Sequence, residues 1–223
     1  MLPAAFPSMG PATMRFRLPA LFSAAALALV VFCAPALAMQ AADPSALINQ
    51  LVNQAINVIV DKNSTENLRE QKFRSLLQTG FDIPRISRFV LGRYWNVATD
   101  DQRKLFSELF EDWIVRTYAA RFGQYSGEKI QVIGTRSEGP TTTVVISQFV
   151  SPSGGPPAKV EWVVRKGSDD NYSIVDVSVE GVSMALTQRD EIAAVADRNG
   201  GTIDGLNHAM EEKIRGAGAG AAK

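Results

Sequence analysis

The chain has 223 residues, with 23 Lys+Arg balanced by 23 Asp+Glu, hydrophobic residues at 46% and charged residues at 21%. These are values of a globular protein, and neutrality removes the clustered basic charge that a general nucleic-acid binder needs. A single Cys and a single His exclude structural zinc sites, iron–sulfur clusters and disulfide frameworks by ligand count, so no metal or cofactor is expected.

Arg15 and Arg17 are the only charged residues before Asp43, and they precede an apolar run from Leu21 to Phe32 and then Ala36-Leu37-Ala38. A basic flank, a short apolar core and a small-x-small site describe a secretory signal peptide. The run is shorter than the ~20 residues a permanent transmembrane helix needs. Cleavage is expected after Ala38, which makes 1–38 the signal, 39–215 a single domain and 216–223 a disordered tail. Met14 is an alternative start. Cys33 is disfavoured as a lipid acceptor because Phe32 before it is bulky. Removal of the signal takes away the only Cys and leaves a slightly acidic exported chain.

Asp43-Pro44 reads as an N-cap followed by Pro at the first helical position. Ile48, Leu51, Val52, Ala55, Ile56 and Ile59 then recur at helical spacing. Asn63 to Glu66 opens a second helix, carrying Leu68, Phe73, Leu76 and Leu77 and stopping at Gly80. Asp82-Ile83-Pro84 opens a short third helix that ends near Gly92. Thr99 and Gln102 form a capping box, with Asp100 and Asp101 at the positive end of a helix predicted to run to about Phe122. Leu105, Phe106, Leu109, Phe110, Trp113 and Ile114 cover nearly half its circumference, more apolar surface than a surface helix needs.

The period then falls to two. Lys129–Thr135, Thr141–Val150, Ala158–Lys166 and Tyr172–Glu180 are strands joined by short turn-rich segments, which indicates an antiparallel meander. Val160, Trp162 and Val164 share one face of the third, and Val175, Val177 and Val179 one face of the fourth. Val144 and Ile146 are their expected partners across the sheet. Helical spacing returns through Ile192 and Val195, then through Ile203, Leu206 and Met210 after a Gly200-Gly201 break. The expected fold is α+β, with about four antiparallel strands curved against a helical layer and an apolar cavity between them.

Catalytic signals are sparse. Gly181-Val182-Ser183-Met184-Ala185 sits between a strand and a helix, the context of a nucleophile elbow. Asp197 or Asp204 followed by His208 completes a Ser, Asp, His order, so a serine hydrolase using Ser183 and His208 is the alternative of another class. The elbow belongs to parallel crossovers, however, and the adjacent acid pairs along the chain do not converge, so no catalytic residue is assigned.

Phe89-Val90-Leu91-Gly92-Arg93-Tyr94-Trp95, then Thr99-Asp100-Asp101-Gln102-Arg103, then Val115-Arg116-Thr117-Tyr118-Ala119, resemble the MlaC-type family of periplasmic phospholipid carriers, the toluene-tolerance auxiliary proteins. Ile174 to Ser183 is similar to that family's last strand and following turn, and the resemblance runs from about Ala46 to Ile192. It implies a protein that carries lipid across the periplasm, between an outer-membrane lipoprotein complex and an inner-membrane ABC transporter complex. The segment from Thr187 through Gly200-Gly201 to Leu206 looks more like the hopanoid-biosynthesis-associated branch, so a hopanoid or other polycyclic lipid is the alternative cargo. On this reading Leu91, Tyr94, Phe106, Leu109 and Phe110 are expected to line the helical wall. Val144, Ile146, Trp162, Val164 and Val177 would line the sheet wall, with Arg93 and Arg116 at the rim for a headgroup phosphate.

Overall fold

In the computed structural model, which describes residues 43–61, 63–119 and 125–220, helix starts follow the polar caps. The predicted signal peptide lies outside the described residues. Helix α1 (Pro44–Val60) begins where Asp43 accepts the Ala46 N–H at 2.8 Å. Thr65 caps α2 (Glu66–Gly80), and Asp82 caps α3 (Ile83–Leu91). A 3₁₀ turn, Gly92–Asn96, leads to Thr99, whose box with Gln102 closes in both directions and opens α4 (Asp100–Ala119). Its predicted last turn lies outside the described residues.

Strands β1 (Lys129–Ser137), β2 (Thr142–Val150), β3 (Ala158–Lys166), β4 (Tyr172–Val179) and β5 (Val182–Ser183) pair in chain order, all antiparallel. The two-residue β5 was not expected. It exists because Glu180 and Gly181 both adopt positive φ (50° and 80°), the conformation of a tight two-residue hairpin. Helices α5 (Met184–Arg198) and α6 (Ile203–Gly220) follow, so helix continues into the segment read as a tail.

The register corrects one inference. Val145 pairs with Trp162 and Ser147 with Val160, whereas Val144 and Ile146 pair with Val163 and Glu161 and so lie on the opposite face. A second departure is in β4, where Val177 pairs with Trp162 but Ile174, and not Val175, pairs with Val164. Val175 is the extra residue of a β-bulge, which reverses the face of everything before it. The free edge of β4 at this point accepts the linker between α2 and α3: Phe81 bridges Ile174, and the Asp82 N–H donates to the Ile174 carbonyl at 3.0 Å.

Two apolar clusters hold the layers. Leu47, Ile48 and Leu51 of α1 pack with Val145, Val164 and Ile174 on the inward sheet face. Phe106, Leu109 and Phe110 of α4 pack with Leu206, Met210 and Ile214 of α6, and with Val90, Leu91 and Tyr94. Helix α4 therefore needs its wide apolar stripe: α6 covers one edge, and the other faces the interior beside the sheet.

Candidate functional site

Between α1, α2, α3, α4 and the inward face of the sheet lies a cavity of about 450 Å³. Its wall is almost wholly apolar. Helix α1 contributes Ile56 and Ile59 from its C-terminal half, while its N-terminal half is the part sealed against the sheet. Helix α2 adds Phe73 and Leu77, and α4 adds Phe110 and Ile114. The sheet contributes Trp162 and Val177 at mid-strand, then Ile130, Phe149 and Val179 at one end. Phe149 and Val179 belong to the wall yet remain 37% and 40% exposed, so the cavity opens at that end of the sheet.

Few polar groups reach this space, and most of them are held. The Trp162 indole N–H donates to Ser147 Oγ at 2.9 Å, and that hydroxyl donates to the Val160 carbonyl at 3.3 Å. Ser147 is fully buried. The pair fixes the ring on the wall while leaving no unsatisfied indole N–H. Near the opening, Glu128 accepts from the Ser126 hydroxyl and N–H at 2.7 and 2.8 Å, and the hydroxyl contact first, then the backbone one, holds its carboxyl below the usual range. Asp176 accepts from the Ser183 hydroxyl at 2.6 Å and from the Val177 and Ala185 N–H groups. Gln188 Oε1, also on the wall, is buried with no hydrogen-bond partner among the described residues.

Of the ten residues expected to line the cavity, Phe110, Trp162 and Val177 stand on its wall. Leu91, Tyr94, Phe106 and Leu109 are buried in the cluster against α6, and Val164 is buried beside Ile174. Val144 and Ile146 face away, for the register reason given above. Neither Arg93 nor Arg116 is on the wall. Arg93 instead donates to Asp197 Oδ1 at 2.6 Å and to the Tyr94 hydroxyl at 3.0 Å, and that hydroxyl donates to the same carboxylate oxygen at 2.6 Å. The α1 and α2 walls were missed. Their signal was present in the Leu51–Ile59 stripe and in Phe73, but periodicity does not say whether a stripe meets a neighbour or a void.

Ser183 is a helix cap. It accepts the Leu186 N–H at 3.1 Å and donates to Asp176, with no imidazole between them, and His208 is exposed on α6. The sheet it leaves is antiparallel throughout, without the parallel crossovers of a nucleophile elbow.

These elements define an α+β protein whose helical layer and antiparallel sheet enclose an apolar cavity within the ~300–1,000 Å³ range of small-molecule sites. The profile of the family described as MlaC protein matches residues 49–212, most of the sequence, and the chain belongs to the MlaC family. It is 29% identical over 97 residues to the intermembrane phospholipid transport system binding protein MlaC of Haemophilus influenzae, a match covering 43% of this chain and 45% of that protein. The chain thus spans less than half the length of that relative. A solved structure of a phospholipid-binding protein from Ralstonia solanacearum, in complex with a phospholipid, is similar with a TM-score of 0.68 and 22% identity, over 79% of this chain and 99% of that one. That likeness establishes the fold.

Proposed function

We propose that this chain is a soluble periplasmic carrier that holds phospholipid acyl chains in the apolar cavity and ferries the lipid between an inner-membrane ABC transporter complex and an outer-membrane lipoprotein complex. The observation that carries this reading is the cavity itself, an apolar chamber open at one end of the sheet. Each methylene kept from water is worth about 0.8 kcal/mol, so an exposed chain of ~16 carbons faces a penalty on the order of 12 kcal/mol. A carrier must replace bilayer with comparable apolar surface. Exchange with the membrane is then close to neutral, and direction has to come from the partner machines.

Phe110, Ile114, Trp162 and Val177 are the proposed acyl contacts. Phe149 and Val179 form the proposed mouth, with the headgroup near solvent. Family membership supports the reading, as do the names of the Haemophilus and Ralstonia proteins, which mention phospholipid. Among the described residues no helix is long and apolar enough to cross a membrane. No catalytic step belongs to this function.

Organic extraction of gently purified protein, followed by mass spectrometry, tests it. Stoichiometric phospholipid is the expected result. A hopanoid in its place would redirect the cargo, and protein free of lipid at every preparation would contradict the carrier reading.

A further inference from the structure

Beside the apolar cavity, on the far side of a wall formed by Ile86, Val175, Asp176 and Ala185, lies a second, open basin of about 740 Å³. Its character is different, because Arg85, Arg88, Arg93 and Arg189 all line it. Two of these guanidiniums are already paired. Arg85 meets Asp82 at 3.0 Å, and Arg93 meets Asp197 at 2.6 Å. The other two have no carboxylate partner among the described residues and rest on aromatic rings. Arg88 lies 5.9 Å from the Trp95 ring centroid, and Arg189 lies 5.1 Å from that of Phe89. Contacts of this kind orient a guanidinium without neutralising it.

Arg189 is also seated by Gly92, which has a φ of +57° and where an added Cβ would come within 3.1 Å of the Arg189 Nε. Asp176, the one carboxylate on the basin wall, has its oxygens engaged by Ser183, Val177 and Ala185. The basin therefore presents two ring-supported forks that are not ion-paired among the described residues, while Asp176 keeps its charge but has its oxygens turned to neutral donors. This arrangement suits the oxygens of a phosphate better than a single carboxylate.

We propose that this basin is a phosphate-binding site in which Arg88 and Arg189 grip the phosphate, with Phe89 and Trp95 holding the two forks in place. The phosphate comes either from a lipid headgroup or from a free anion in solution. The site is separate from the acyl cavity, and its existence does not depend on what that cavity holds.

Two probes distinguish the sources: inorganic phosphate followed by titration calorimetry, and sedimentation with phosphatidylglycerol vesicles against phosphatidylcholine vesicles. The full exported chain is compared with an Arg88→Gln/Arg189→Gln variant and with Lys104→Gln, an exposed charge on α4 outside the basin. The double variant should bind at least about 10-fold more weakly, the loss of roughly one charge-assisted contact, while Lys104→Gln stays near the parent. Phe89→Leu changes no charge and should weaken binding to an intermediate degree by releasing Arg189. Binding of inorganic phosphate without binding to phosphatidylglycerol vesicles assigns a free anion, and binding to phosphatidylglycerol vesicles, whether or not phosphate displaces them, assigns a headgroup. The proposal is overturned if neither probe binds, if the double variant binds as the parent does, or if a glutamate-rich peptide competes better than phosphate.

Discussion

Trp162 shows how a single side chain is made into a wall. Its indole would cost free energy on an apolar surface if the N–H had no partner, and Ser147, on the neighbouring strand, supplies one from a fully buried position. Ser147→Ala should therefore destabilise the protein by about 1–3 kcal/mol in urea unfolding, more than a surface Ser would. Asp197 makes a second point at this scale. The Tyr94 hydroxyl first, and then the Arg93 charge, hold its carboxyl below the ordinary value of 3.8. A depressed carboxyl contributes stability above its unfolded pKa, and that contribution is lost as pH falls through the folded one. Asp197→Asn should accordingly flatten the loss of stability as pH falls below 3.8 in thermal melts, while lowering stability at neutral pH. An unchanged acid limb would sink this assignment. Neither interaction was legible in the sequence: Tyr94 and Asp197 stand a hundred residues apart, and Ser147 is one of four polar residues in its strand, with Thr142, Thr143 and Gln148.

Elements were far more legible. Caps at Asp43, Asp82 and Thr99 announce helices because each satisfies backbone donors that a first turn leaves open. Alternation located β1 to β4 to within a residue or two. What alternation could not supply was the face. The bulge at Val175 puts Ile174 opposite Val164 while Val175 still borders the cavity, and the actual pairing puts Val145 inward where Val144 was expected. The surplus apolar girth of α4 was legible, but only packing decided that Phe106 and Leu109 meet α6 while Ile114 meets the cavity. Helix α1 offers the cleanest manipulation. Ala55 faces the cavity from a half-buried position, so Ala55→Trp should fill space instead of displacing core. The expected variant folds and, stripped of ligand, melts no lower than the parent, yet it recovers less lipid when incubated with vesicles. Full lipid uptake by a folded Ala55→Trp protein would argue against acyl chains occupying this space.

At the scale of the whole molecule, the fold resolves a conflict between a solid core and a hollow one. Stability is concentrated where α4 and α6 interlock and where the N-terminal half of α1 seals against the sheet. The far end of the sheet is left with apolar residues facing space. Such a molecule should depend on its guest. At a hundredfold excess of ligand over its Kd, binding contributes about 2.7 kcal/mol, so delipidated protein should melt several degrees below the loaded form. Equal melting temperatures would separate the cavity from any bound lipid. The most direct measurement uses Trp162 as a reporter, with Trp95 and Trp113 replaced by Phe so that it alone emits. Phospholipid brominated on the acyl chain should quench this tryptophan strongly on loading, whereas the same lipid brominated in the headgroup should not. Emission indifferent to acyl bromination, in protein shown to carry the lipid, would contradict the account.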